Sequence, residues 1–140
     1  MQTISTKKQN KSTIFPEQTF EEFLSSCKRC QGQPDRDMLR KAFLLANEVH
    51  EGKKLYTGEP YIIHPIRVAQ ITTQTIGLGV RSATAALLHE VLSQSDYTQA
   101  DIARMFDDKV AYIVGALTKI PENNTEGTNL QAENFRKLLI

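Results

Sequence analysis

Residues 80–92 contain neither Gly nor Pro, and Val80, Ala83, Thr84, Leu87, Leu88 and Val91 recur along them at helical spacing. This run predicts a helix with one buried stripe, which needs other apolar elements to cover it. Gly and Pro, at 7 and 5 residues, are too sparse for the many turns of an all-β protein. The same helical period recurs elsewhere, so the expected fold class is all-α. His89 falls just off the stripe and is followed by Glu90, with the small residues Ser82, Ala85 and Ala86 on its side of the helix. Two readings are open. An adjacent imidazole and carboxylate with space beside them suit a first-row divalent ion. A histidine on a core helix also serves as a packed residue with one hydrogen bond.

A second histidine bears on that choice. In Gly58-Glu59-Pro60-Tyr61-Ile62-Ile63-His64-Pro65-Ile66, Pro65 is placed to open a helix and His64 to be its N-cap. The positive end of the helix dipole disfavours imidazolium, and a metal needs the neutral ring. The plainer reading is an ordinary cap beside a proline turn.

Several stretches agree in order and spacing: His50-Glu51-Gly52, Gly58 through Pro65, Ala85-Ala86-Leu87-Leu88-His89-Glu90, Phe106, Val110, Leu117-Thr118-Lys119-Ile120 and Glu133-Asn134-Phe135-Arg136-Lys137. Together they resemble the hydrolase domain of the RelA/SpoT alarmone enzymes, within the HD superfamily of metal-dependent phosphohydrolases. The resemblance covers the chain from about Ala42 onward. It implies a compact multi-helix HD-domain bundle. It also implies a manganese-dependent 3′-pyrophosphohydrolase acting on guanosine 3′,5′-bis(diphosphate).

The length, 140 residues, is that of one domain, and the formal net charge is +1. That balance gives no broad electrostatic case for nucleic acid or an anionic membrane. No apolar run approaches membrane-spanning length and no secretory signal is visible, so the cytoplasm is the expected location. Residues 1–16 are polar and aperiodic and read as a flexible tail, leaving residues 17–140 as the hydrolase-like domain.

A first helix is expected over about 17–31, with Phe20, Phe23, Leu24, Cys27 and Cys30 on one face. The Cys27-Lys28-Arg29-Cys30 run could be a redox pair or half a zinc site. The expectation is instead two reduced, buried thiols, because no second pair exists and the redox motif follows a strand. Asp35 is expected to cap helix two, on which His50 reads as a buried or helix-end residue and Gly52 as the stop. Helices are further expected over 64–76, from a Thr98-x-x-Asp101 capping box to Phe106, after an Asp107 cap, and from about Asn129 to the end. A polar loop is expected over 121–127. The final helix reaches Ile140 without a C-cap, which reads as a domain cut inside a helix, with other domains of a longer chain as partners.

By resemblance, the metal ligands would be His64, His89 and Glu90, with Glu90 standing where the family has aspartate. The added methylene displaces the carboxylate by ~1.5 Å, so coordination would require the backbone or rotamer to adjust. Ser93 and Gln94 occupy the positions of the Glu-Asp pair that assists the attacking water, and neither can act as general base. The family's last aspartate ligand lies beyond Ile140, and Asp96, the nearest spare carboxylate, fits no motif position. In the guanine-nucleotide loop, Leu55-Tyr56 replace an Arg-Lys pair. Tyr56 remains able to stack on a purine, and Lys53 and Lys54 to meet phosphates. The favoured reading is a degenerate hydrolase domain kept for regulation, with weak or absent manganese. The alternatives are an active nucleotide phosphohydrolase with a rearranged site, and a protein-interaction module without nucleotide or metal.

Overall fold

The computed structural model describes residues 15–118. The helices run α1 Pro16–Ser26, α2 Gln33–Val49, α3 Ile63–Gln70, α4 Val80–Leu88, α5 Val91–Gln94, α6 Gln99–Met105 and α7 Asp108–Thr118. No strand occurs among the described residues, where Lys54 and Pro60 form an isolated bridge. The fold is all-α, as expected. The polar loop over 121–127, the last helix and most of the polar tail lie outside the described residues. No helix among the described residues is long and apolar enough to cross a membrane.

The centre of the fold is α4, which packs against α2, α3 and α7. Ala83 through Leu88 are all buried, so the expected single stripe is in fact burial on every side. A helix that is apolar or small all round has no face suited to water. Ile66, Val68 and Ala69 of α3, Leu39, Ala42 and Ala46 of α2, and Val110, Ile113 and Val114 of α7 complete the core. Phe20 of α1 stacks on Phe43 of α2, with ring centroids 4.4 Å apart.

Local chemistry moves several helix ends from their expected places. The first helix stops at Ser26, because Cys27 turns extended (φ −84°, ψ 104°) before a 3-10 turn at Lys28–Cys30. That turn brings the Cα atoms of Cys27 and Cys30 to 5.3 Å, within bridging range, and the two form a disulfide. They are buried as expected, but they are not reduced thiols. Helix α2 starts at Gln33 with Gly32 as N-cap. Asp35 therefore lies in the first turn, where its charge suits the dipole, and does not cap. Helix α3 starts at Ile63, since Ile63 N–H and His64 N–H already donate to the carbonyls of Pro60 and Tyr61. His64 is thus the second helical residue and not the N-cap, and Pro65 the third, where a missing N–H costs nothing. The α geometry of this helix ends at Gln70 and continues as a π-helical turn over Ile71–Thr75. There the Thr73 hydroxyl donates to the Ala69 carbonyl, competing with the regular ladder. Two expected caps are present. Thr98 and Asp101 form a reciprocal capping box, and Asp107 accepts from Val110 N–H at 2.8 Å.

The loop between α2 and α3 is fixed at both ends. Gly52 and Gly58 take positive φ (81° and 95°), which lets the chain reverse. Glu59 accepts two bonds from Arg67, at 3.0 and 2.8 Å, clamping the loop to α3. His50 closes α2 and is 3% exposed. Its Nδ1 lies 3.0 Å from Oε1 of Gln94, which also accepts from Lys53 Nζ at 3.0 Å. An ammonium only donates, so the shared Gln94 atom is an oxygen and Nδ1 of His50 carries the proton.

Burial pushes His50 down from 6.5 to about 4; the Gln94 bond opposes this, while Lys53, His89 and His64 add to it. A folded value below the unfolded one means the unfolded chain binds the extra proton. The resulting stability is whole above pH 6.5 and is lost as pH falls toward about 4. The loss is at most ~1.4 kcal/mol per pH unit for one proton. Urea unfolding of His50→Asn, which keeps a donor near Nδ1 but does not titrate, is expected to show a shallower loss across that window than the unaltered protein. Equal slopes would refute the assignment.

Candidate metal centre

Three elements converge beside the lower end of α4. His64 comes from the first turn of α3, His89 and Glu90 follow the last residue of α4, and Tyr61 lies in the turn that leads into α3. The break after Leu88 has a side-chain cause. His89 Nδ1 lies 2.6 Å from the Ala86 carbonyl, which the His89 N–H reaches only at 3.5 Å. The ring takes a carbonyl that the helix would otherwise use. Glu90 then leaves helical geometry (φ −110°, ψ 4°), and α5 begins at Val91.

That break sets where the Glu90 carboxylate lies. The backbone at Glu90 is not helical, and Oε1 stands 3.9 Å from Nε2 of His64 and 3.8 Å from Nε2 of His89. The two imidazole rings meet edge to face, with centroids 5.5 Å apart. His89 and Glu90 are buried and His64 nearly so, and one ligand atom from each lies within 4.8 Å of the others. Two imidazole nitrogens and a carboxylate oxygen are a donor set for a first-row divalent ion. Cis ligands at about 2.1 Å from one ion stand ~3 Å apart, so modest side-chain rotation closes this set around it. The residues present therefore fit a metal, as three ligands of one.

Tyr61 was read in sequence only as part of its motif. Its hydroxyl lies 2.8 and 2.9 Å from the two carboxylate oxygens of Glu90. An ionised carboxylate only accepts, so the phenol is the donor. Its ring centroid is 4.8 Å from that of His50 and 5.9 Å from that of His64. The signal available beforehand was chemical. A buried carboxylate needs a donor, and Tyr61 precedes His64 by three residues in one turn.

The other candidates are placed differently. Gln94 is engaged by His50 and Lys53, and Ser93 Oγ donates to the Glu90 carbonyl at 3.1 Å. Lys53 is thus tied toward the site, while Lys54 sits in the isolated bridge. Tyr56 is fully exposed, and Leu55 packs against the core.

Residues 42–140 match the HD domain family. The guanosine-3′,5′-bis(diphosphate) 3′-pyrophosphohydrolase of Vibrio cholerae is 37% identical over 109 residues, covering 77% of this chain and 15% of that protein. The bifunctional (p)ppGpp synthase/hydrolase SpoT of Escherichia coli K12 is 38% identical over 103 residues, covering 73% of this chain and 14% of that protein. A 3′-pyrophosphohydrolase of Aquifex aeolicus is 39% identical over 102 residues, again 73% and 14%. The chain spans about one-seventh of the length of these relatives. With the helical fold and the His64, His89 and Glu90 group in place, the chain belongs to the HD domain family and carries a hydrolase domain of the RelA/SpoT type.

Proposed function

We propose that this domain is a guanosine-3′,5′-bis(diphosphate) 3′-pyrophosphohydrolase-type unit whose hydrolysis is impaired and whose role is regulatory. The observation that carries this reading is the state of Ser93 and Gln94. Neither bears a carboxylate, and both are committed to bonds within the protein. General acid–base help is typically worth ~10²–10⁴-fold, and no group at these two positions supplies it. The cation we assign is manganese, by family. When bound it supplies Lewis-acid polarisation of a phosphoryl oxygen. The chain's own part is to present His64, His89 and Glu90 from a largely buried recess. One carboxylate is little charge to retain a divalent ion, so binding is weak. Lys53, Lys54 and Tyr56 are the groups for a guanine nucleotide. Lys53 must leave Gln94 to reach a phosphate, and Leu55 offers no planar charged contact, so this binding is weak as well. We place the domain in the cytoplasm, among other domains of a longer chain, with no nucleic acid or membrane as partner.

Dialysed protein is expected to retain no stoichiometric manganese, while added manganese binds reversibly and His64→Ala abolishes that binding. One manganese per chain that survives dialysis would contradict the weak-site assignment. Pyrophosphate release from guanosine 3′,5′-bis(diphosphate) is expected to be undetectable, or slower by at least ~10²-fold than that of a relative with both carboxylates. Robust manganese-dependent release by the unaltered chain, abolished by His89→Ala, would overturn the reading and favour a rearranged active site.

A further inference from the structure

Glu90 has one more side-chain torsion than an aspartate, yet its Oε1 stands almost equidistant from the two histidine Nε2 atoms, at 3.9 and 3.8 Å. Something must hold it there. The Tyr61 hydroxyl, within 2.8 and 2.9 Å of the two oxygens, bisects the carboxylate and fixes the rotation of its plane. Tyr61 is itself held. Its backbone N–H donates to the Lys53 carbonyl at 2.9 Å, and its ring lies against that of His50, which Gln94 fixes in turn. Gln94 thereby helps support the ligand from the far side of Tyr61.

We propose that Tyr61 is a positioning residue for the metal ligand Glu90, and that its effect on metal affinity depends on a glutamate at that position. The dependence follows from reach. An aspartate at residue 90 would draw the carboxylate back by ~1.5 Å, which takes it out of hydrogen-bond range of a phenol anchored as Tyr61 is. A tyrosine that merely fills space would matter equally with either residue. A partner that orients a ligating carboxylate is typically worth ~10–100-fold in metal affinity. The proposal rests on the divalent-cation reading of the site.

The test is manganese titration, followed by the signal of the free ion, on the unaltered protein, Tyr61→Phe, Glu90→Asp and the double variant, with thermal unfolding of each. Tyr61→Phe is expected to weaken binding by ~10-fold in the Glu90 protein and to lower its melting temperature, and to weaken binding by less than ~2-fold, with a smaller melting change, in the Glu90→Asp protein. Equal losses in both backgrounds would show a general packing role and overturn the proposal. Unchanged binding in Tyr61→Phe would overturn it while leaving the cation reading intact. If the unaltered protein binds no manganese at all, both fail. If Glu90→Asp alone binds none, a melting loss from Tyr61→Phe confined to the Glu90 background supports the proposal, and equal melting losses in both backgrounds overturn it.

Discussion

Burial of α4 on every side from Ala83 to Leu88 is the constraint from which the rest follows. Its residues from Ala83 to Leu88 offer nothing to water, so α2, α3 and α7 must close around it. The end of such a helix is also inside. His89 and Glu90, which follow it directly, are therefore buried polar groups whatever they do chemically. Buried polar groups are costly unless partnered, and the neighbours that α3 and its leading turn supply are His64 and Tyr61. The metal-type cluster is thus built into the core and not laid on the surface.

Polar contacts beside the cluster run outward in one direction. Glu90 is met by Tyr61, Tyr61 by the ring of His50, and His50 by Gln94, which also takes the Lys53 ammonium at the edge of the site. A carboxylate at residue 94 would add charge to this chain, whereas the amide adds none. The same residue that is unable to serve as a base is fully used as a support. The lack of a carboxylate at residue 94 and a supporting role for it are compatible here, because one amide oxygen meets both His50 and Lys53.

At three irregular helix ends a side chain bonds a backbone carbonyl. His89 takes that of Ala86, Thr73 that of Ala69, and Gln31 those of Leu24 and Cys27. Each interruption has a consequence. The first frees Glu90 to turn toward the histidines, the second widens α3 into its π turn, and the third accompanies the turn that joins Cys27 to Cys30. None of these bonds alters which face of a helix is apolar.

Much was legible before any coordinates. Apolar periodicity marked the helices, since a 3.6-residue repeat is a property of local sequence. The capping box at Thr98 and the cap at Asp107 were equally local. The ordered motifs around His64 and His89 marked the candidate ligands. Other features depended on packing. Sequence placed Glu90 on a continuing helix, with its carboxylate displaced by ~1.5 Å, because the carbonyl captured by His89 leaves no periodic trace. Tyr61 and Gln94 acquired their roles only when the α2 end, the loop and α5 were brought together across many residues. The cysteine pair looked like two thiols on one helical face, but the helix ends at Ser26, before both of them. The sequence by itself determined which residues are apolar and which carry chemistry, for those depend on hydrophobicity and side-chain type. Tertiary structure alone decided which of those polar groups meet, because a hydrogen bond is set by separations of a few ångströms that no linear pattern encodes.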